Sequence, residues 1–160
     1  MKTLKPIIKN NLKILFVGIN PHPQSIKKSG YFTSNGSLWI QLQKSGLTEE
    51  RIDDTKILKY NMGIMNICDR PTVHANELTN KEWERGVKRF KNYIKKYKSK
   101  NIVFIGKLPA QKYLGKININ YGWQDETEDN IRFFVMIFPT YPCNLNKKIE
   151  VLKELRNNIW

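Results

Sequence analysis

A chain of 160 residues makes one domain, residues 1–160, long enough to bury a core without disulfides or a structural metal. Its 40% hydrophobic content falls in blocks separated by turn signals, which argues against disorder, and no apolar run approaches the ~20 residues of a membrane span. Twenty-eight Lys and Arg against 14 Asp and Glu leave a net charge of +14, so the expected partner is a polyanion, DNA or RNA, and not a membrane.

The first element expected is a short buried strand over residues 12–17, which breaks into Gly18-Ile19-Asn20-Pro21. Residues 18–36, rich in Pro, Gly, Ser and Asn, read as a long loop, and loops of that length in a compact domain are usually functional. Helices follow over 37–44 and 49–59, then a second strand over 63–67 and a second long loop over 68–80 that begins Cys68-Asp69-Arg70-Pro71-Thr72-Val73. Thr79-Asn80-Lys81-Glu82 has capping-box form, and Trp83, Val87, Phe90, Ile94 and Tyr97 recur at helical spacing behind it.

A third strand is expected over 101–105, followed by Gly106-Lys107 and a short helix carrying Tyr113 and Leu114. Residues 131–138 read as a fourth strand, 139–146 as a loop, and the remainder as a helix with Ile149, Leu152, Leu155 and Ile159 on one face. Strands alternating with helices predict a three-layer αβα sandwich around a central, mainly parallel sheet of four to five strands. The loops leaving the carboxyl ends of those strands then share one edge, where open α/β sheets bind their ligands.

Cys68 and Cys143 stand far apart with no partner at metal-ligand spacing, so neither a disulfide framework nor a metal site is expected, and a reducing compartment fits. A basic N-terminus without an apolar h-region predicts a protein that stays in the cytoplasm, at the nucleoid if the source is prokaryotic. Neither a Walker loop nor a complete Gly-x-Gly-x-x-Gly follows any strand, which argues against a small-nucleotide-binding protein.

Taken in order, Gly18-Ile19-Asn20-Pro21, Asp69-Arg70-Pro71-Thr72-Val73 with Ala75-Asn76-Glu77, and Gly106-Lys107 resemble the mismatch-specific uracil/thymine-DNA glycosylases of the uracil-DNA glycosylase superfamily, over almost the full chain. The resemblance implies that Asn20 is the catalytic residue, holding the water that attacks the sugar. Gly18 and Ile19 would line the base pocket. Tyr31 or Phe32, of which Phe32 is preferred, would stack on the base. In Pro142-Cys143-Asn144-Leu145-Asn146-Lys147 the resemblance places the DNA wedge, with Leu145 as the apolar tip between Asn144 and Asn146, and Lys147 or Lys148 on phosphate. Lys107, at a helix N-terminus, is a candidate phosphate contact.

An amide can orient a water but cannot accept its proton, so such a site depends on a good leaving group, and slow turnover is expected. The target base must be flipped out of the duplex, at less cost when mispaired, which favours uracil in a mismatch over other contexts. The reading is therefore a monofunctional, cofactor-free and monomeric glycosylase that removes uracil, with thymine or a modified cytosine as further substrates, from double-stranded DNA and leaves an abasic site. Two departures from the family pattern keep alternatives open: His22 replaces the Gly expected after Asn20-Pro21, and Cys143 and Asn144 replace small residues before Leu145. Both would suit a glycosylase for hypoxanthine or another deaminated base, or a damaged-DNA-binding domain with weak catalysis. Asp69 and Arg70 are read as a charge pair that holds the second loop.

Overall fold

Five strands, β1 (Ile14–Gly18), β2 (Met62–Asn66), β3 (Asn101–Ile105), β4 (Gly122–Glu128) and β5 (Ile131–Met136), form one sheet in the order β2-β1-β3-β5-β4. The computed structural model in which they are seen describes residues 1–33 and 37–159. β2, β1, β3 and β5 run parallel, and β4 pairs antiparallel with β5. Every residue of β1 is buried, because the sheet is covered on both faces: Leu15 and Val17 enter one core, Ile14 and Phe16 the other.

On the first face lie α3 (Asn80–Tyr97) and α4 (Lys107–Leu114). Phe90 and Tyr113 from these helices meet Phe104 and Phe133 of the sheet with ring centroids 5.1–6.2 Å apart, each pair adding about 0.5–1.5 kcal/mol to its area burial. α2 (Ser37–Lys44) and α5 (Leu145–Asn157) cover the second face through Leu38, Trp39, Leu42, Leu152 and Leu155. This is the αβα sandwich expected. The capping box that starts α3 is present, with the Thr79 hydroxyl accepting from the Glu82 N–H and the Glu82 carboxylate accepting from the Thr79 N–H.

Four expectations are corrected. The strict alternation of strand and helix fails at β4, whose polar sequence Gly-Trp-Gln-Asp-Glu-Thr-Glu hides an edge strand. It joins β5 through Asp129 and Asn130, both with positive φ, 49° and 65°, as a two-residue hairpin requires. The helix expected over 49–59 shrinks to a 3₁₀ helix, Asp54–Tyr60, because the Asp53 side chain caps it by accepting from the Thr55 N–H, and Asn61 ends it in a left-handed conformation. Within the first long loop sits α1 (Pro23–Lys27), capped by His22 with Pro23 at its first position, while positions 34–36 of that loop lie outside the described residues. Ile159 packs on the core but lies past the end of α5.

Candidate active site

The parallel strands β1 and β3 are neighbours whose following connections lead to opposite sides of the sheet, and the crevice this leaves lies at their carboxyl ends. A cavity of about 320 Å³ opens there, lined by residues of the loops after β1, β2 and β5. Gly18, Ile19, Asn20, Tyr31 and Phe32 all border it, joined by His22, Asn66, Thr72, Val73, Phe138 and Thr140. The cavity is of the size of small-ligand sites. Among the described residues that line it there is no carboxylate.

The loops after β1 and β2 are zipped together beyond the strand ends. Ile67 N–H donates to Gly18 O (3.0 Å), Cys68 N–H to Ile19 O (2.8 Å) and Thr72 N–H to Pro21 O (3.2 Å). Asn20, half-buried, is fixed on this zipper: its Nδ2 donates both to Arg70 O (2.8 Å) and to Thr72 Oγ1 (2.7 Å), while the Thr72 hydroxyl donates onward to His74 O (2.8 Å). Because a backbone carbonyl can only accept, the amide orientation follows from its partners. Both donors are used, and the Asn20 Oδ1 accepts from no described residue, so an acceptor is left for a water in the cavity.

Asn66, the last residue of β2, is the functional candidate that sequence reasoning missed. It is 8% exposed, lines the cavity, and its side chain has no hydrogen-bond partner among the described residues. The amide opens onto the cavity and is not sealed in the core, so its donors and acceptor stand on the cavity wall where a ligand can meet them. Gly18 lies beside it in register, and a Cβ on Gly18 would come within 2.6 Å of Asn66 Oδ1. The readable signal was a polar residue closing the apolar run Gly-Ile-Met at a carboxyl strand end.

Two aromatic walls face the cavity. Phe32, with the left-handed φ of 50°, meets Phe138 with ring centroids 6.3 Å apart, and such a backbone outlier in a bulky residue marks stored strain. Tyr31 is 3% exposed and pinned: its hydroxyl donates to Lys5 O (3.0 Å), its N–H donates to Asp54, and its carbonyl accepts from Trp39 Nε1. Burial holds its phenol protonated. His22 stands exposed at the rim, its Nδ1 accepting from the Gln24 N–H at 3.1 Å.

The charge pair expected between Asp69 and Arg70 does not form: each side chain instead ties the second loop to α3. Arg70 grips Glu82 through Nε (2.6 Å) and Nη2 (3.1 Å) and donates to Glu77 O, while Asp69 pairs with Arg89, whose Nη2 also donates to the carbonyls of Asn66 (3.0 Å) and Ile67 (2.9 Å). Thus the carbonyl that holds Asn20 and the strand end that carries Asn66 are both braced from one helix. α3 can approach so closely because Gly86 has no Cβ, which would lie 2.4 Å from Ile67 O. Cys68, buried against Glu82, has its thiol pushed up to about 12 by burial and is no nucleophile at neutral pH.

The hydrogen bonds from Arg70, then those from Thr79, hold the Glu82 carboxyl down at about 2, against an ordinary 4.5. A depressed carboxylate contributes stability that is complete above its unfolded value and is lost as pH falls toward the folded one. Thermal unfolding followed from pH 6 to pH 3 is expected to fall more steeply in the unaltered protein than in Glu82→Gln, which has nothing left to protonate at that position.

Outside the cavity, Asn144 caps α5 by accepting from the Asn146 N–H at 2.7 Å, which sets Leu145 at the first helical position with 39% exposure. Asn146 and Lys147 are exposed beside it. Lys148 is not available for phosphate: it is 7% exposed and its Nζ donates to Pro139 O at 2.8 Å, sharing that carbonyl with Gln41. Lys107 sits half-buried at the start of α4, its Nζ 4.6 Å above the Tyr121 ring. The family described as the Uracil DNA glycosylase superfamily matches residues 6–156 of this chain.

Proposed function

Because the chain belongs to the uracil DNA glycosylase superfamily, whose members are DNA glycosylases acting on deaminated bases, we propose that it excises uracil from mismatched double-stranded DNA and leaves an abasic site. The observation that carries this reading is a pair of amides on one cavity: Asn20, pinned by both its donors with its oxygen unused, and Asn66, with its whole amide unused. An everted uracil would lie in the cavity against the aromatic wall that Phe32 and Phe138 form together, and present its N3–H and an adjacent carbonyl to Asn66, which has one acceptor and donors to match.

Asn20 would hold a water against the anomeric carbon. As the N-glycosidic bond breaks, its electrons pass to the base, the sugar becomes oxocarbenium-like, and the water adds to it, its proton passing through solvent to the departed base anion. Among the described residues no carboxylate lines the cavity to take the water's proton early, so bond breaking must run ahead of water attack. That ordering requires a stable leaving anion, which uracil supplies, and it supports slow turnover. Leu145 would enter the duplex where the base has left, with Asn144 and Asn146 beside it and Lys147 and Lys107 on phosphates.

A second reading, hypoxanthine as the base, is favoured by His22, whose Nε2 is unused at the cavity rim and could meet the larger purine. A panel of duplexes carrying uracil, thymine or hypoxanthine opposite each of the four bases separates the two. Release of uracil from G:U faster than from A:U, by about tenfold or more, is the expected result. Release of hypoxanthine without uracil would transfer the assignment to the second reading, and release of no base would reject both.

A further inference from the structure

Five large apolar side chains are exposed among the described residues, and three of them gather here: Val73 and Tyr141 on the loops after β2 and β5 that flank the cavity, and Leu145 at the first position of α5, where the second of those loops ends. Apolar surface gathered at one rim marks a contact surface. Tyr141, 52% exposed, is its only aromatic. Its ring is presented from a fixed backbone: Tyr141 N–H donates to Phe138 O (2.9 Å), Cys143 N–H donates to Tyr141 O (2.8 Å), and Asn144 then caps α5. Phe138 is itself a wall of the cavity, so the segment that aims Tyr141 outward also shapes the base pocket.

Lys147, exposed two positions beyond Leu145, puts a cation on the same segment, and Lys107 holds its ammonium 4.6 Å above the Tyr121 ring. The rim therefore combines an outward aromatic face with a nearby cation, on a chain of net charge +14. The partner whose chemistry matches both is a nucleobase on a phosphate backbone. When one base of a duplex is everted, its former partner is the base left without a pairing contact. Leu145 can fill the vacated space but offers no ring to stack against.

Resting on the glycosylase reading above, we propose that Tyr141 is a second insertion residue, which enters beside Leu145 and stacks on the orphaned base of the opposite strand. The test uses a duplex in which 2′-fluoro-deoxyuridine, whose glycosidic bond resists cleavage, stands opposite the fluorescent guanine analogue 6-methylisoxanthopterin, so that the pair is a G:U wobble. The unaltered protein and Tyr141→Phe are expected to quench the emission on binding. Tyr141→Leu, apolar but without a ring, is expected to leave the complex brighter and to bind about tenfold more weakly. Ile117→Ala, at an 87% exposed site away from the rim, serves as control and should match the unaltered protein.

Equal quenching and equal affinity for Tyr141→Leu and the unaltered protein would overturn the proposal. Quenching that disappears in Tyr141→Phe as well as in Tyr141→Leu would also overturn it, since the ring would then not be the cause. A parallel assay on hydrolysable G:U duplex keeps the two readings apart. If the unaltered protein releases uracil there while the Tyr141 variants behave alike, the stacking proposal alone fails; if it releases none, the glycosylase reading has failed first.

Discussion

Asn20→Ala is expected to lower the single-turnover rate of uracil release by about 10²–10³-fold while duplex binding changes by less than about threefold. The rate falls because the variant loses the one fixed acceptor that aims a water across the cavity. Binding is spared because the amide's two donors point away from the cavity, into the second loop at Arg70 O and Thr72 Oγ1. Those two groups lose a donor each, and the half-buried setting lets solvent replace it, so the stability cost should stay near 1 kcal/mol. Thermal unfolding measured beside the kinetics separates the two effects. A large loss of affinity with an unchanged rate would mean that Asn20 binds DNA and does not organise the water.

Gly18→Ala should cut kcat/KM by about 10²-fold in a protein that still folds. The new methyl group would stand 2.6 Å from Asn66 Oδ1, and that oxygen, at the end of a side chain, can yield where backbone could not. Asn66 would swing out of its place, and the base would lose the amide that reads its edge. A site built to hydrogen-bond its substrate loses far more than one hydrogen bond's net worth when the pairing fails. Combining Gly18→Ala with Asn66→Ala provides the check: the two losses should not add, because both remove one interaction. Full additivity would show that Gly18 acts on something other than Asn66.

The legible parts of the sequence were those whose signal is local. Five buried residues in a row at Ile14–Gly18 and at Asn101–Ile105, and a capping box at Thr79 and Glu82, state their structure within a few positions. Asn20, Gly18, Ile19, Tyr31 and Phe32 could be grouped because the fold brings one loop to one crevice. β4 was hidden because an edge strand with a wet face has no apolar pattern to announce it. Asn66 was hidden for the opposite reason, as one polar residue ending an apolar run that reads as core. The braces Arg70–Glu82 and Arg89–Asp69 join a loop to a helix face, and no short-range pattern could have shown that the Asp69-Arg70 pair is shared out between partners on α3.

The most direct test of the central claim is a crystal structure of the protein on a G:U duplex in which the uracil nucleotide carries the 2′-fluoro block. The base is expected everted against the aromatic wall of Phe32 and Phe138, its edge within hydrogen-bond distance of the Asn66 amide, and a water held between Asn20 Oδ1 and the anomeric carbon. A duplex bound elsewhere on the protein, or a base seated in the cavity with the anomeric carbon out of reach of Asn20, would contradict it.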